Sequence, residues 1–100
     1  MIVYNVTINI DREVESEWVR WMKSVHIPEV LATNCFENAR MLKMMYEEES
    51  QGTTYAVQYM AKSLEMIEQY QREFAEALQA EHSKRYKDKF VVFRSLLEEV

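Results

Sequence analysis

CFENARMLKMMYE, residues 35–47, can be read two ways, and the topology of the chain turns on the choice. Residue by residue it is a helix, because Ala, Arg, Met, Leu, Lys and Glu dominate it. Its surroundings argue for a strand. It runs through an acidic turn, EEESQG, into TTYAVQY, residues 53–59, whose Thr, Tyr and Val content suits a pleated, half-buried strand. Two such segments joined by a short turn make a hairpin, so 35–47 is expected as a strand against its local propensity.

On the N-terminal side, residues 2–10 alternate. Ile2, Tyr4, Val6, Ile8 and Ile10 share one face, and Val3, Asn5, Thr7 and Asn9 the other. Asp11 ends this strand and can cap the helix after it. From about Glu13, Val14, Trp18, Trp21, Met22 and Val25 fall on one helical stripe, with Trp18 near its centre and Trp21 at an edge. His26 lies beyond that edge. Pro28 has no N–H for the helix and its ring crowds the preceding turn, so a break or kink is expected near His26, with a short turn over Glu29–Thr33. Asn34 suits a left-handed cap.

On the C-terminal side, Ser63 can cap a second helix whose apolar face is Leu64, Ile67, Phe74 and Leu78. The polar segment AEHSKRYKDK reads as a helical turn and loop, with His82 solvated or packed in the loop. FVVFRSLL, residues 90–97, closes the chain as a strand. The order is β-α-β-β-α-β, the ferredoxin-like split arrangement: an α+β fold with a four-stranded antiparallel sheet and two helices on one face, occupying residues 1–100 as a single domain.

Composition narrows the partners. Acidic residues outnumber basic ones, 17 to 12, for a net charge of −5, which disfavours nucleic acid and anionic membranes. An RNA-recognition domain has the same element order, but Thr54 and Ala56 would stand where stacking aromatics belong. No run approaches the roughly 18 apolar residues of a membrane span, and a single cysteine, Cys35, rules out an internal disulfide. A cytoplasmic setting is expected. The Glu47-Glu48-Glu49 run reads as a solvated turn, and the methionines as adaptable packing. Met41 and Met44 point to opposite faces of a strand, and Pro28 disrupts the His26–Glu29 pair, so no metal site and no cofactor are expected.

Helices on one sheet face leave the other to water or a partner. It carries Val3, Asn5, Thr7 and Asn9, with either Thr54, Ala56, Gln58 and Met60 or Tyr55, Val57 and Tyr59 from the third strand, the first set being preferred because the larger apolar residues suit the helix side. The last strand adds either Phe90, Val92 and Arg94 or Val91, Phe93 and Ser95. The mixture is too apolar for bare solvent and too polar for a dry core, where each unpaired polar group costs about 1–3 kcal/mol. A homodimer with a wet interface or a ligand chamber meets both constraints.

MIVYNVTINID, HIPEVLATNCF, TTYAVQY and KDKFVVFRSLLEEV together resemble a small bacterial family of uncharacterised proteins, a domain of unknown function, over nearly the whole chain. That family resembles the dimeric α+β barrel group, in which two ferredoxin-like sheets close face to face. The group includes cofactor-free monooxygenases, haem-degrading enzymes, isomerases and proteins without known activity, so the resemblance implies fold and dimer more firmly than reaction. The Asn, Trp and His of its haem-degrading members are answered in part by Asn5 or Asn9 and His82, while Trp18 and Trp21 fit core packing instead.

On this reading the chain binds a small, anionic or carbonyl-bearing molecule in a chamber lined by Asn5, Thr7, Gln58 and Arg94, with His26 at an entrance as the candidate catalytic residue. Chemistry there would be cofactor-free proton or oxygen chemistry of the monooxygenase or isomerase kind. The competing reading of His26 is structural, a boundary histidine satisfied by carbonyls freed at the proline break. The competing function is a non-catalytic dimeric module for structure or protein interaction.

Overall fold

In the computed structural model, which describes residues 1–46 and 52–100, the N-terminal alternation forms β1 (Ile2–Asp11). Tyr4, Val6, Ile8 and Ile10 are buried, as a half-buried strand requires. The Asp11 carboxylate accepts a hydrogen bond of 2.8 Å from the Glu13 N–H and turns the chain into α1 (Glu15–Trp21). After a π-helical turn, Met22–His26, comes α2 (Ile27–Leu31), and the turn that follows it takes Asn34 to a left-handed φ of 64°.

Residues 38–43 form β2 (Asn38–Lys43), so the topological argument prevails over the helical propensity of this stretch. Met41 and Ala39 pack toward the core. β3 (Gly52–Ala61) follows, and the turn expected at 47–52 lies outside the described residues apart from Gly52. The second helical connection is α3 (Leu64–Glu73) and α4 (Ala75–Arg85), offset at Phe74, whose φ of −128° is not helical. Two expectations are corrected here. AEHSKR is helix rather than loop, and Leu64 is half exposed rather than on the buried face. Ser63 takes an extended backbone at the start of α3 without a side-chain capping bond. β4 (Phe90–Glu98) closes the chain.

The sheet order is β2-β3-β1-β4, with every neighbouring pair antiparallel. This is the ferredoxin-like βαββαβ layout, each helical connection being split in two. Trp18, Met22, Ile67, Tyr70 and Tyr86 from the helical side meet Tyr4, Ile8, Val57 and Tyr59 of the sheet in one core.

Gly52 opens β3 opposite Asp11, and a Cβ there would lie 2.3 Å from the Ile10 carbonyl oxygen. Gly52→Ala therefore forces backbone apart and is expected to lower stability by about 1–3 kcal/mol, read as a shift in the urea midpoint. An unchanged midpoint would mean that β3 can start elsewhere.

Candidate functional site

The proline break does not occur, and that change places His26. Ile27 N–H bonds back to the Met22 carbonyl, five residues away, so the helix widens just ahead of Pro28 instead of ending. The wider turn relieves the clash between the proline ring and the preceding turn. It also delays the helical rotation by about one residue, roughly 100°, and swings His26 from beyond the stripe back over the core. His26 is only 9% exposed, stacked on Trp21 with ring centroids 5.1 Å apart. Its Nδ1 is buried without a hydrogen-bond partner among the described residues. The expected place at a chamber entrance and the expected satisfaction by freed carbonyls are both corrected.

His82 comes to the same place from α4. It is buried rather than solvated, and its ring centroid lies 5.7 Å from that of His26. The Trp18 indole donates to His82 Nε2 at 2.9 Å. An indole N–H can only donate, so Nε2 must be unprotonated and the neutral ring carries its proton on Nδ1.

Arg94 and Tyr4 stand on the sheet beneath these rings. Arg94 is exposed on the edge strand β4, and its positive charge acts on the Tyr4 hydroxyl, partly offsetting the rise that burial causes. Gln79 of α4 donates to the same hydroxyl at 3.5 Å. Together with Ser83, these groups line a cavity of about 40 Å³ between helices and sheet. That is room for about three or four water-sized groups.

The electrostatics are those of neutral rings near a cation. Burial, then the positive charge of Arg94, pushes the His26 pKa down to about 4. Burial, then His26 and Arg94, pushes His82 down to about 4. Burial raises Tyr4, Tyr59 and Tyr70, keeping their hydroxyls protonated. The cavity thus offers a cationic group, neutral imidazoles and phenolic hydroxyls, a set that can hold an oxygen anion or carbonyl and exchange a proton with it.

The depressed histidines also fix a pH dependence. The unfolded chain binds protons on His26 and His82 below about 6.5, whereas the folded chain stays unprotonated until about 4. Stability is therefore full above pH 6.5 and falls as pH drops toward 4, by up to about 1.4 kcal/mol per pH unit for each ring. Urea unfolding at pH 7 and pH 5 checks this, and His26→Gln should reduce the slope. A flat profile would mean that the rings titrate normally.

The expected chamber residues do not all meet. Asn5 pairs with Gln58 and with Ser95 across the strands, so Arg94 points to the opposite side of the sheet from Asn5, Thr7 and Gln58. The open face carries Thr54, Ala56, Gln58 and Met60 as expected, together with Val91, Phe93, Ser95 and Leu97. Its polar groups satisfy one another. Arg40 Nε donates to Gln58 at 2.8 Å, Gln58 donates to Asn5 at 3.2 Å, and Asn5 donates to Thr7 at 3.0 Å and to Ser95 at 3.4 Å. The helix-side cavity is instead lined by His26, whose Nδ1 has no partner among the described residues.

Tyr4, Gln79 and His82 are the members that the sequence reading missed. Leu78, His82 and Tyr86 recur every fourth residue, a helical signal that extending the second helix past Leu78 would have exposed.

The chain belongs to the family described as a domain of unknown function (DUF4286), whose model matches residues 1–100. A comparison with curated protein sequences finds no match. Among solved structures, an ethyl tert-butyl ether d (ethd) family protein from Bacillus halodurans aligns at TM-score 0.71 and 14% identity over 100% of both chains. HapK from Hahella chejuensis aligns at TM-score 0.74 and 9% identity, over 100% of this chain and 93% of its own. A dimeric ferredoxin-like protein from an uncultured marine organism aligns at TM-score 0.63 and 15% identity, over 99% of this chain and 97% of its own. At these identities the likeness is one of fold. Among the described residues no helix is long and apolar enough to cross a membrane.

Proposed function

We propose that this chain is a homodimeric small-molecule-binding protein whose ligand, a small anionic or carbonyl-bearing molecule, sits between helices and sheet against Arg94, Tyr4 and His26. One observation carries the reading: His26, whose buried Nδ1 has no partner among the described residues, lines a cavity together with Arg94. A buried polar atom left unpaired costs about 1–3 kcal/mol, which a ligand hydrogen bond would recover. The dimer reading is supported by the apolar residues on the open sheet face and by the dimeric ferredoxin-like neighbour. Any chemistry would be proton transfer through His26 without a cofactor, the step that isomerase-type and cofactor-free oxygen chemistry have in common.

Native mass spectrometry of the purified protein tests the proposal. The expected spectrum is a dimer with a small-molecule adduct on each chain, lost on denaturation. The adduct should be depleted in His26→Ala and in Arg94→Met, with affinity weakened by about 1–3 kcal/mol for the histidine change. A dimer without adduct, and without thermal stabilisation by small carboxylates or ketones, would instead favour the non-catalytic interaction module.

A further inference from the structure

We propose that the cavity takes up a short-chain carboxylate together with one proton, that the proton lodges on His26, and that the Trp18–His82 hydrogen bond is what confines it there. The inference rests on the small-molecule reading of the same cavity and adds the ligand class and the proton.

The cavity lining contains Arg94 but neither Asp nor Glu. The titratable groups around His26 come from every packed element: Tyr4 of β1, Tyr59 of β3, Tyr70 of α3, His82 of α4 and Arg94 of β4. None is an anion at neutral pH. A protonated imidazole here would face a guanidinium with no counter-charge, so in the empty cavity the proton stays off. A carboxylate held by Arg94 supplies the missing negative charge, and the imidazolium becomes the favoured form. The size agrees, since about three or four water-sized groups fit the cavity and acetate has a comparable number of heavy atoms.

Two imidazoles could compete for that proton, and the geometry separates them. His82 Nε2 already accepts from the Trp18 indole. Charging His82 would put a second N–H on Nε2, donor against donor, and would break a buried hydrogen bond. His26 Nδ1 has no protein partner among the described residues, so a proton there breaks no protein hydrogen bond, and the ring belongs to the lining of the cavity that would hold the carboxylate. The balance is simple. If the ligand enters as its neutral acid, its O–H bond breaks and an N–H bond forms at His26. If it enters as the anion, the proton comes from solvent. No carbon bond changes. The free His26 titrates at about 4, so a ligand that raises this value binds more tightly as pH falls, by up to tenfold per pH unit.

The test uses the full chain with acetate as ligand. Calorimetric titration near pH 7 in two buffers of different ionisation enthalpy counts protons, and nitrogen NMR of histidine-labelled protein locates them. The expected result is uptake approaching one proton per acetate, with His26 moving to imidazolium shifts while His82 stays the Nδ1–H tautomer. His26→Gln should abolish the uptake, and Arg94→Met should abolish acetate binding. Trp18→Phe should let His82 titrate as well. Should that variant fail to fold, the tautomer of His82 in the wild-type spectrum decides the same point. Acetate binding without proton uptake, protonation at His82, or no response of either ring to acetate would overturn the inference. The native mass spectrum judges the wider small-molecule reading independently.

Discussion

Trp18→Ala is expected to leave the protein largely unfolded at room temperature or melting at least about 15 °C lower. Three losses combine. Trp18 is fully buried and its ring packs against Tyr55 with centroids 5.1 Å apart, so truncation leaves a large cavity that costs about 3–5 kcal/mol. Removing the indole N–H also strips His82 Nε2 of its donor in a buried site, worth about 1–3 kcal/mol more. The contact being lost ties the two helical connections together, since Trp18 belongs to α1 and His82 to α4. A domain of this size has about 5–15 kcal/mol in total, and each kcal/mol moves its melting temperature by about 4–8 °C. Trp21→Ala should be milder, because it leaves the Trp18–His82 bond in place, but still costly, because the ring is buried against His26 and Tyr86. Thermal melts within a few degrees of wild type would mean that the α1 face is misassigned.

The double variant Val91→Glu/Phe93→Glu is expected to convert the protein from dimer to monomer with its helices intact. Both side chains stand on the open sheet face, 72% and 64% exposed in the single chain, the face that also carries Leu97 on the same strand and Leu42 at the opposite edge. In a face-to-face pair each chain contributes both, so four apolar side chains leave the interface. At about 1.5–3 kcal/mol each this amounts to at least about 6 kcal/mol, roughly four orders of magnitude in affinity before the repulsion of the new carboxylates is added. Sedimentation equilibrium at micromolar concentration should give about twice the 12.0 kDa chain mass for the wild type and the chain mass for the variant, with unchanged circular dichroism. A wild type that sediments as a monomer would remove the dimer from the proposed function while leaving the helix-side cavity in place. A dimeric variant would put the interface on another surface.

The residues differ in how openly they announce their place. β1 is legible because one of its alternating faces is strongly apolar, and the larger apolar residues of TTYAVQY favour the face of β3 that turns to the helices, while the register between the two strands comes from the structure. The apolar stripe of α1 is equally plain, and it orders Trp18 and Trp21 by burial in the sense that the structure bears out. β2 was legible only through its neighbours, since its own propensities pointed the other way. β4 carries no such signal. Phe90 and Val92 are as apolar as Val91 and Phe93, so periodicity cannot say which side Arg94 takes. Pairing of Ser95 with Asn5 settles it and splits the expected chamber in two.

Sequence alone therefore determined the order of strands and helices, the sheet face that the helices cover and the mixed character of the face they leave open. Apart from β2, which its neighbours decided, these follow from short-range periodicity, which one segment carries by itself. Tertiary structure decided what depends on partners far apart in the chain or on how a local conflict is resolved. Pro28 forbids a regular α-helical bond, and burial of the α1–α2 face settles the conflict with a wider turn that brings His26 inside. His82 acquires its tautomer from Trp18, 64 residues earlier, and Arg94 meets Tyr4 only once β4 has paired beside β1. A polar side chain on one helix has no periodicity that names its partner on another, because that contact exists only after the core has closed around both.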